Sequence, residues 1–299
     1  SCKSIIYVTS YIKFFITIIL ILFTWLLTSS NRFTRDIASK AMIELLKSNF
    51  QFCLPLLRKF ESVNDPYVFQ RLYGVAFGAC VKRTFVYEND YKNLAEYVYK
   101  NIFFQKEVYP DILLRDYARL IIERYLFEFP NSISIDIDLI SPPYNSEAIP
   151  TVVKEEYYNN DMLQSGFNII DCSMIPDTRN TPGLYGDFGR YTFQSALNYF
   201  ENIDIDNLYH YAMQYIRDVL GYKNSYFTDY DLCSRRAFSD RSNTKKCERI
   251  GKKYQWIATY ELLSKLYDNF IPHYNIYSDD IIDLDNREYF DNDHKRTFD

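Results

Sequence analysis

The first half of the chain contains three segments in which apolar positions recur with the spacing of an α-helix. The segments are residues 32–46, 65–81 and 110–126, and each carries an arginine and small or aliphatic residues at i, i+3 and i+4 intervals. Residues at these intervals share one helix face, so each segment is predicted to form an amphipathic helix. Residues 91–104 show a similar pattern and are predicted to form a companion helix.

The arginines of these segments recur at similar intervals. Arg35, Arg71 and Arg115 are separated by 36 and 44 residues, and helix pairs of the HEAT type repeat at about 40 to 47 residues. We therefore predict a mainly α fold in which residues 24–130 form HEAT-like α-solenoid repeats. A generic helical bundle with coincidental arginines is the alternative.

Acidic residues accompany the repeated arginines. Asp36 and Asp116 each follow an arginine in an Arg-Asp-x-Ala string. We expect the charged residues of the repeats to cap helix ends and to bridge successive repeats. The set is Arg35, Asp36, Arg71, Arg115 and Asp116. The Asp-Pro dipeptide at 65–66 is predicted to begin the second helix, because Asp is a preferred N-cap and Pro is favoured at the first helical position.

The remaining chain is predicted to contain three further segments. They are a loop-rich insertion at 131–186, a C-terminal helical module at 187–275 and an acidic tail at 276–299. Within the insertion, residues 132–140 alternate apolar and polar side chains, which predicts a short strand. Within the module, Asp206 is the expected N-cap of a helix that Gly221 ends.

Residues 1–23 form an apolar segment whose status the sequence leaves open. Residues 14–27 are a run of fourteen residues interrupted only by two threonines, whereas a membrane-spanning helix needs about 20 apolar residues. The run reaches that length only by including Lys13. A buried helix of a cytoplasmic protein is therefore favoured over membrane association through residues 5–27. The chain begins with Ser1 and not with methionine, so we expect it to be a fragment of a longer protein or the product of an incomplete gene model.

Composition agrees with a packed protein, whereas charge is unevenly distributed. Hydrophobic residues make up 47% of the chain and charged residues 24%, as in ordinary globular domains. The formal net charge of −5 disfavours a protein that coats nucleic acid without sequence preference. Eight basic and two acidic residues lie between Arg235 and Lys253, and eight acidic and three basic residues lie in 278–299.

The basic stretch is followed directly by aromatic residues, which favours a binding surface. A protein partner is the preferred interpretation. Nucleic acid, a phosphorylated substrate, the chain's own acidic tail and a solvated loop before a helix are the alternatives. Ile250 and Gly251 are predicted to form a tight turn or cap that orients the lysines after them. The candidate partner-binding residues are Arg235, Arg236, Lys252, Lys253, Tyr254 and Trp256.

The sequence carries no recognisable catalytic or cofactor motif. The six cysteines lack Cys-x-x-Cys spacing, the three histidines lack the His-Glu-x-x-His pattern, and no Walker-type phosphate loop is present. The Asp-Phe-Gly tripeptide at 187–189 lacks the other kinase motifs and is predicted to be a polar turn at a helix start. We therefore expect no catalytic residue, no metal and no cofactor in this chain. An enzyme with a site near residues 186–190 and the basic stretch is the alternative.

Several strings resemble a known family, the bacterial antiviral STAND NTPases called Avs, in their C-terminal helical region. The strings are TWLLTSSNRFTRDIASKAMIELL, NDPYVFQRLYGVAFG, LLRDYARLIIE, GDFGRYTFQSAL and CERIGKKYQWIATYELLSKLYDNF. The resemblance covers most of residues 24–271. It implies a parent protein with an N-terminal effector, an ATPase and a helical-repeat sensor that binds a phage protein such as terminase or portal.

The same resemblance implies that this chain is the sensor part. Partner binding would trigger oligomerisation through the upstream ATPase and release the effector. The chain departs from the family pattern because it contains no string that matches the effector or the ATPase, so no catalytic residue is carried over.

Overall fold

The computed structural model describes residues 2–130, 132–150, 169–180, 183–237 and 248–270, with side chains described from residue 11 onward except at 169 and 234–237. These residues are mainly helical and contain no strand, which confirms the predicted mainly α class. The α-helices are α1 (Cys2–Leu26), α2 (Arg32–Leu46), α3 (Cys53–Lys59), α4 (Pro66–Lys82), α5 (Glu88–Val98), α6 (Ile112–Glu128), α7 (Ile137–Ile140), α8 (Ile169–Met174), α9 (Ser195–Leu197), α10 (Ile205–Gln214), α11 (Asn224–Ala237) and α12 (Ile250–Asn269). Turns of π-helix extend α5 and α10 at Tyr99–Phe103 and Tyr215–Val219 and precede α9 at Gly189–Gln194.

Four helices of the first half pack in chain order. α1 contacts α2, α2 contacts α4 and α4 contacts α6, while α3 contacts α4 and α5, and α5 contacts α6. Their apolar faces form a continuous buried cluster, here called the first core, that extends from Leu20 to Ile140. The predicted helices at 32–46, 65–81 and 110–126 correspond to α2, α4 and α6. The predicted companion helix corresponds to α5 and its π-helical turn.

The helix ends follow the capping chemistry of the sequence. Asp65 is the N-cap of α4 and accepts hydrogen bonds from the N–H groups of Tyr67 and Val68, with Pro66 at the first helical position. This confirms the predicted helix start. Asp111 caps α6 in the same way by accepting from the N–H of Leu114 at 2.9 Å.

The second half forms a separate cluster, here called the second core, which α12 connects to the first. The second core is built from α8, residues 187–197, α10 and α12. Residues 187 and 188 are the first of a helix, as predicted. α12 contacts α4 and α6 on the side of the first core and α8, α10 and α11 on the side of the second. Polar residues of α12 are therefore buried along with apolar ones, and they are Gln255, Thr259, Glu261, Ser264 and Lys265.

The repeated arginines make two kinds of contact. Arg71 donates to Asp36 at 2.9 Å and so joins α4 to α2. Arg35 instead donates to Glu248 at 2.8 Å, and Arg115 donates to Asp268 at 2.6 Å. Asp116 accepts from Arg119 within α6. The Asp36–Arg71 pair thus connects neighbouring helices, whereas Arg35 and Arg115 reach the C-terminal part of the chain.

The predicted strand at 132–140 is wrong. Residues 132–136 form no regular element, and residues 137–140 form the short helix α7, which Asp136 caps. Ile133 and Ile135 pack against the first core. The alternation of these isoleucines with polar residues therefore reflects the packing of an irregular segment on the core. It does not reflect a strand paired with a neighbour.

The predicted N-cap at Asp206 is also wrong. Asp204 caps α10 by accepting from the N–H groups of residues 206 and 207. The carboxylate of Asp206 accepts from the hydroxyl of Thr178 and the amide of Asn180. The predicted stop at Gly221 is confirmed, because this glycine has a φ of 71° directly after the helix ends, a conformation that disfavours side chains.

Among the residues that the structure describes, no helix combines the length and the apolar character needed to cross a membrane.

Close backbone packing predicts different consequences for two glycine substitutions. A Cβ on Gly186 would lie 2.1 Å from the carbonyl oxygen of Cys172, whereas a Cβ on Gly78 would meet the flexible end of Ile43 at 2.6 Å. We expect Gly186→Ala to lower the free energy of unfolding by about 3 kcal/mol or more, because main-chain atoms must move. Gly78→Ala should stay within about 1 kcal/mol, because Ala is favoured over Gly inside a helix. Urea denaturation measures both, and equal effects would contradict the packing described here.

Candidate functional site

The start of α12 is capped by another helix. The carboxylate of Asp231 in α11 accepts from the N–H of Ile250 at 2.6 Å and from the N–H of Gly251 at 2.9 Å. Asp231 is fully buried, and a carboxylate at this position satisfies amide groups that have no partner within the helix. Ile250 and Gly251 were predicted to form a tight turn or cap. They lie in the capped first turn of α12, so the capped start is found and the separate tight turn is not.

The lysines that follow are paired with acidic residues of the same chain. Lys253 is 2.5 Å from Asp65, the N-cap of α4, and only 16% of its side chain is exposed. Lys252 is 38% exposed and lies 3.9 Å from Glu248, which also receives Arg35. Of the two lysines, Lys252 is therefore the more exposed to solvent.

The aromatic candidates pack within the protein. The ring of Tyr254 contacts Tyr222 at a centroid distance of 5.1 Å. The ring of Trp256 contacts Phe188 at 5.1 Å and stacks on Tyr260 at 5.3 Å. Both rings are half-buried.

Arg235 and Arg236 lie in the last turn of α11, where side chains are not described, and residues 238–247 lie outside the described ranges. The binding role of the six candidates stays a prediction.

A groove lies where α2, α4, α6 and α12 meet. Its volume is about 290 Å³, and Ile43, Val75 and Leu113 are among its apolar lining residues. Its polar and aromatic lining residues are Ser39, Tyr67, Gln70, Arg71, Tyr117 and Tyr260. We call this cavity the tyrosine groove. These lining residues come from four helices, and Tyr260 of α12 completes a lining that α2, α4 and α6 otherwise supply.

Positive charge surrounds one of these rings. Arg35 lies 4.9 Å from the centroid of Tyr67, and Arg71 and Lys253 each lie 5.9 Å from it. Cations within about 6 Å of an aromatic ring are attracted to its face. Burial raises the pKa of Tyr67 despite the nearby arginines, so the phenol stays protonated at neutral pH and keeps a hydrogen to donate.

The groove offers stacking surfaces, phenol groups and a guanidinium group. Arg71 is a quarter exposed while it pairs with Asp36. Arginine and tyrosine are enriched in protein-binding surfaces. Within the described part of the chain, no cluster of His, Cys, Asp or Glu is arranged to hold a metal ion. This chemistry suits side chains of a protein partner.

Sequence reasoning singled out only Arg71 of the six residues that define the tyrosine groove and missed the other five. Tyr67, Tyr117 and Tyr260 are three of 29 tyrosines, so composition alone does not single them out. The one local signal was the spacing of Tyr67 and Arg71, which are four residues apart and therefore neighbours on one helix face.

The glycines near residues 186–190 serve packing. The N–H of Gly186 donates to the carbonyl of Ile175 at 3.0 Å. Arg190 lies over the ring of Tyr185 at 4.2 Å and 3.5 Å from the carboxylate of Asp177. Close contact of this segment with the end of α8 explains both glycine and arginine without a bound substrate.

Comparison of the chain with protein-family models, with curated protein sequences and with solved structures finds no match.

The Asp65–Lys253 pair predicts unequal effects of removing its two members. Asp65→Ala removes the cap of α4 and leaves the ammonium of Lys253 half-buried without its carboxylate, so we expect a loss of about 2 kcal/mol or more in unfolding free energy. Lys253→Met leaves the carboxylate bonded to helix amides and should cost about 1 kcal/mol or less. Asp65→Asn keeps a capping oxygen and should fall between them. Urea denaturation ranks the three, and the opposite order would contradict the capping role.

Asp111 predicts a pH dependence of stability. Burial raises its pKa from 3.8 to about 6, opposed by hydrogen bonds from the Leu114 N–H and from Gln70. The pKa of Asp111 is higher in the folded state than in the unfolded state. The protonated carboxyl therefore contributes stability that is present below pH 3.8 and is lost as the pH rises through about 6. Asp111→Asn should lack this loss, so its stability relative to the native chain should rise by about 2 to 3 kcal/mol across that window. Urea midpoints at a series of pH values test this, and parallel profiles would contradict it.

Proposed function

We propose that this chain is the protein-recognition part of a bacterial anti-phage defence STAND NTPase, and that it binds a phage protein through the tyrosine groove. The observation that carries the proposal is the groove itself, in which three tyrosines and an arginine from α4, α6 and α12 meet beside Ser39 of α2. Aromatic residues and arginine supply most of the binding energy of protein interfaces.

The order of the helix contacts supports a repeat architecture. α2, α4 and α6 pack in succession, and α3 and α5 pack beside them. In HEAT-type arrays, each helix pair contacts only its neighbours and the stacked helices present an extended binding face. We propose that α2 to α6 form such an array and that α12 closes one side of its binding face.

The sequence resemblance supports the identity of the partner. The strings that resemble Avs proteins include most of α2, α4, α6 and α12, and these helices supply the groove. The family implies a terminase or a portal protein as the partner. The nucleotide-binding and effector parts would belong to a longer protein.

Two described residues at the end of the basic stretch, Lys253 and Arg249, argue against the nucleic-acid alternative. A nucleic-acid interface in the basic stretch would need accessible cations, whereas Lys253 is paired with Asp65 and Arg249 donates to the hydroxyl of Ser173 at 2.8 Å. Protein recognition needs no rearrangement of these pairs.

Binding experiments with phage proteins test the proposal. Purified terminase large subunits and portal proteins from several tailed phages would be immobilised, and binding of the chain measured by biolayer interferometry. We expect at least one of them to bind. Tyr117→Ala should weaken that binding by about tenfold or more, and Ser39→Trp should weaken it similarly by filling the groove.

The matched control is Tyr226→Ala, because Tyr226 is 71% exposed on α11, away from the groove. It should leave the affinity unchanged. Melting temperatures separate a binding defect from unfolding. Failure of every terminase and portal protein to bind would refute the partner class, and equal loss in Tyr226→Ala would refute the groove as the site.

A further inference from the structure

The solvent-facing side of α1 is a second surface, which the proposed function does not use. A stripe of five large apolar residues runs along it at spacings of three, four, four and three, formed by Tyr11, Phe14, Ile18, Leu22 and Trp25. Each of these is between 38% and 64% exposed. Phe15 and Ile19 beside the stripe are exposed as well, so the apolar arc is roughly 140° wide.

The opposite side of α1 holds the contacts with the protein. Leu20, Thr24 and Leu27 are buried there, and the hydroxyl of Thr24 donates to the carbonyl of Leu20 at 2.8 Å. Lys13 and Thr17 fall on this same side by helical geometry, although both are exposed. The exposed arc between residues 11 and 26 therefore carries no charged side chain, and a monomer would leave an unusually large apolar patch in water.

We propose that two copies of this chain associate through antiparallel packing of their α1 helices, with a twofold axis at Ile18. In this register Tyr11 faces Trp25 of the second copy, Phe14 faces Leu22, and Ile18 faces itself. The stripe is thus self-complementary, as an isologous interface requires.

The position of α1 in the fold favours a second helix on this face. α1 packs on α2 as α2 packs on α4 and α4 on α6, so the helix of a second copy would continue the same succession by one place. Phe33 and Ile37 of α2, the helix on which α1 packs, are also exposed. A stable interface buries roughly 800 Å² on each partner, and the exposed side chains together present an area of that order.

Charge favours the antiparallel orientation. Two parallel α1 helices would place the like ends of their dipoles side by side. Two antiparallel helices place opposite ends together, which is the favourable arrangement.

Sedimentation equilibrium of the purified chain over roughly 1 to 100 μM tests association, a range that detects micromolar dissociation constants. We expect a dimer. Ile18→Glu combined with Leu22→Glu should raise the dissociation constant on the order of 100-fold, because the interface would bury unpaired carboxylates. Val219→Glu is the matched control, because Val219 is 66% exposed elsewhere, and it should change nothing. Circular dichroism confirms that each variant is folded.

A charge-exchange pair tests the orientation. Tyr11→Lys combined with Trp25→Glu places opposite charges face to face only in the antiparallel dimer, so this variant should remain dimeric. Tyr11→Glu combined with Trp25→Glu places like charges face to face and should be monomeric. Dissociation of the first variant would overturn the antiparallel arrangement.

Three further outcomes would overturn the proposal. They are a monomeric native chain at all concentrations, association that survives the Ile18→Glu and Leu22→Glu changes, and a monomer that binds lipid. The last is detected with phosphatidylglycerol vesicles by a blue shift of Trp25 fluorescence in a Trp256→Phe background, and it would assign the arc to a membrane surface.

Discussion

The position of α12 is the constraint on which both cores depend, and a buried ion pair orients that helix. Arg115 and Asp268 are 2.6 Å apart, with 3% and 1% of their side chains exposed. Removing such charges from water costs several kcal/mol per ion, so a buried pair is tolerated only when its other donors and acceptors are satisfied. Here Arg115 also donates to three main-chain carbonyl groups, and Asp268 accepts from the N–H of Tyr144. Because a displaced α12 would leave these groups unpaired, the pair selects one arrangement of the helix more than it adds stability.

A second buried network explains why α12 is not a simple amphipathic helix. Lys265 lies 2.8 Å from Glu261 and 2.9 Å from the hydroxyl of Tyr211 in α10. Burial raises the pKa of Glu261, against the effect of the lysine. The pKa of Lys265 is also raised, because the nearby carboxylate outweighs the effect of burial, which alone would lower it. Lys265 and Glu261 therefore stay paired with each other within α12, which both cores enclose. Polar residues at these positions limit how α10 and α12 can pack, since a shift along either helix would separate the charges.

The sequence predicted what depends on neighbouring residues and missed what depends on distant ones. Periodicity located α2, α4 and α6, and the Asp-Pro dipeptide located the start of α4, because these signals are local. The alternation at 132–140 was misread, since an extended segment lying on a core has the same pattern as a strand. Adjacent lysines and aromatics after residue 251 predicted a binding surface, whereas the structure pairs Lys253 with an aspartate 188 residues away. The groove could not be predicted, because its four helices are brought together only by tertiary packing.

The groove and the seating of α12 are physically one system. Tyr260 comes from α12, whereas Tyr67 and Tyr117 come from the first core. Lys253 connects the start of α12 to the first turn of α4, and Asp268 connects its end to α6. Ion pairs at both ends hold the ring of Tyr260 at a fixed place relative to the other two. A groove fixed in this way is preorganised, so a partner that enters it loses less free energy to the ordering of the site. The proposed recognition at the groove would therefore depend on these long-range pairs as well as on the side chains that line the groove.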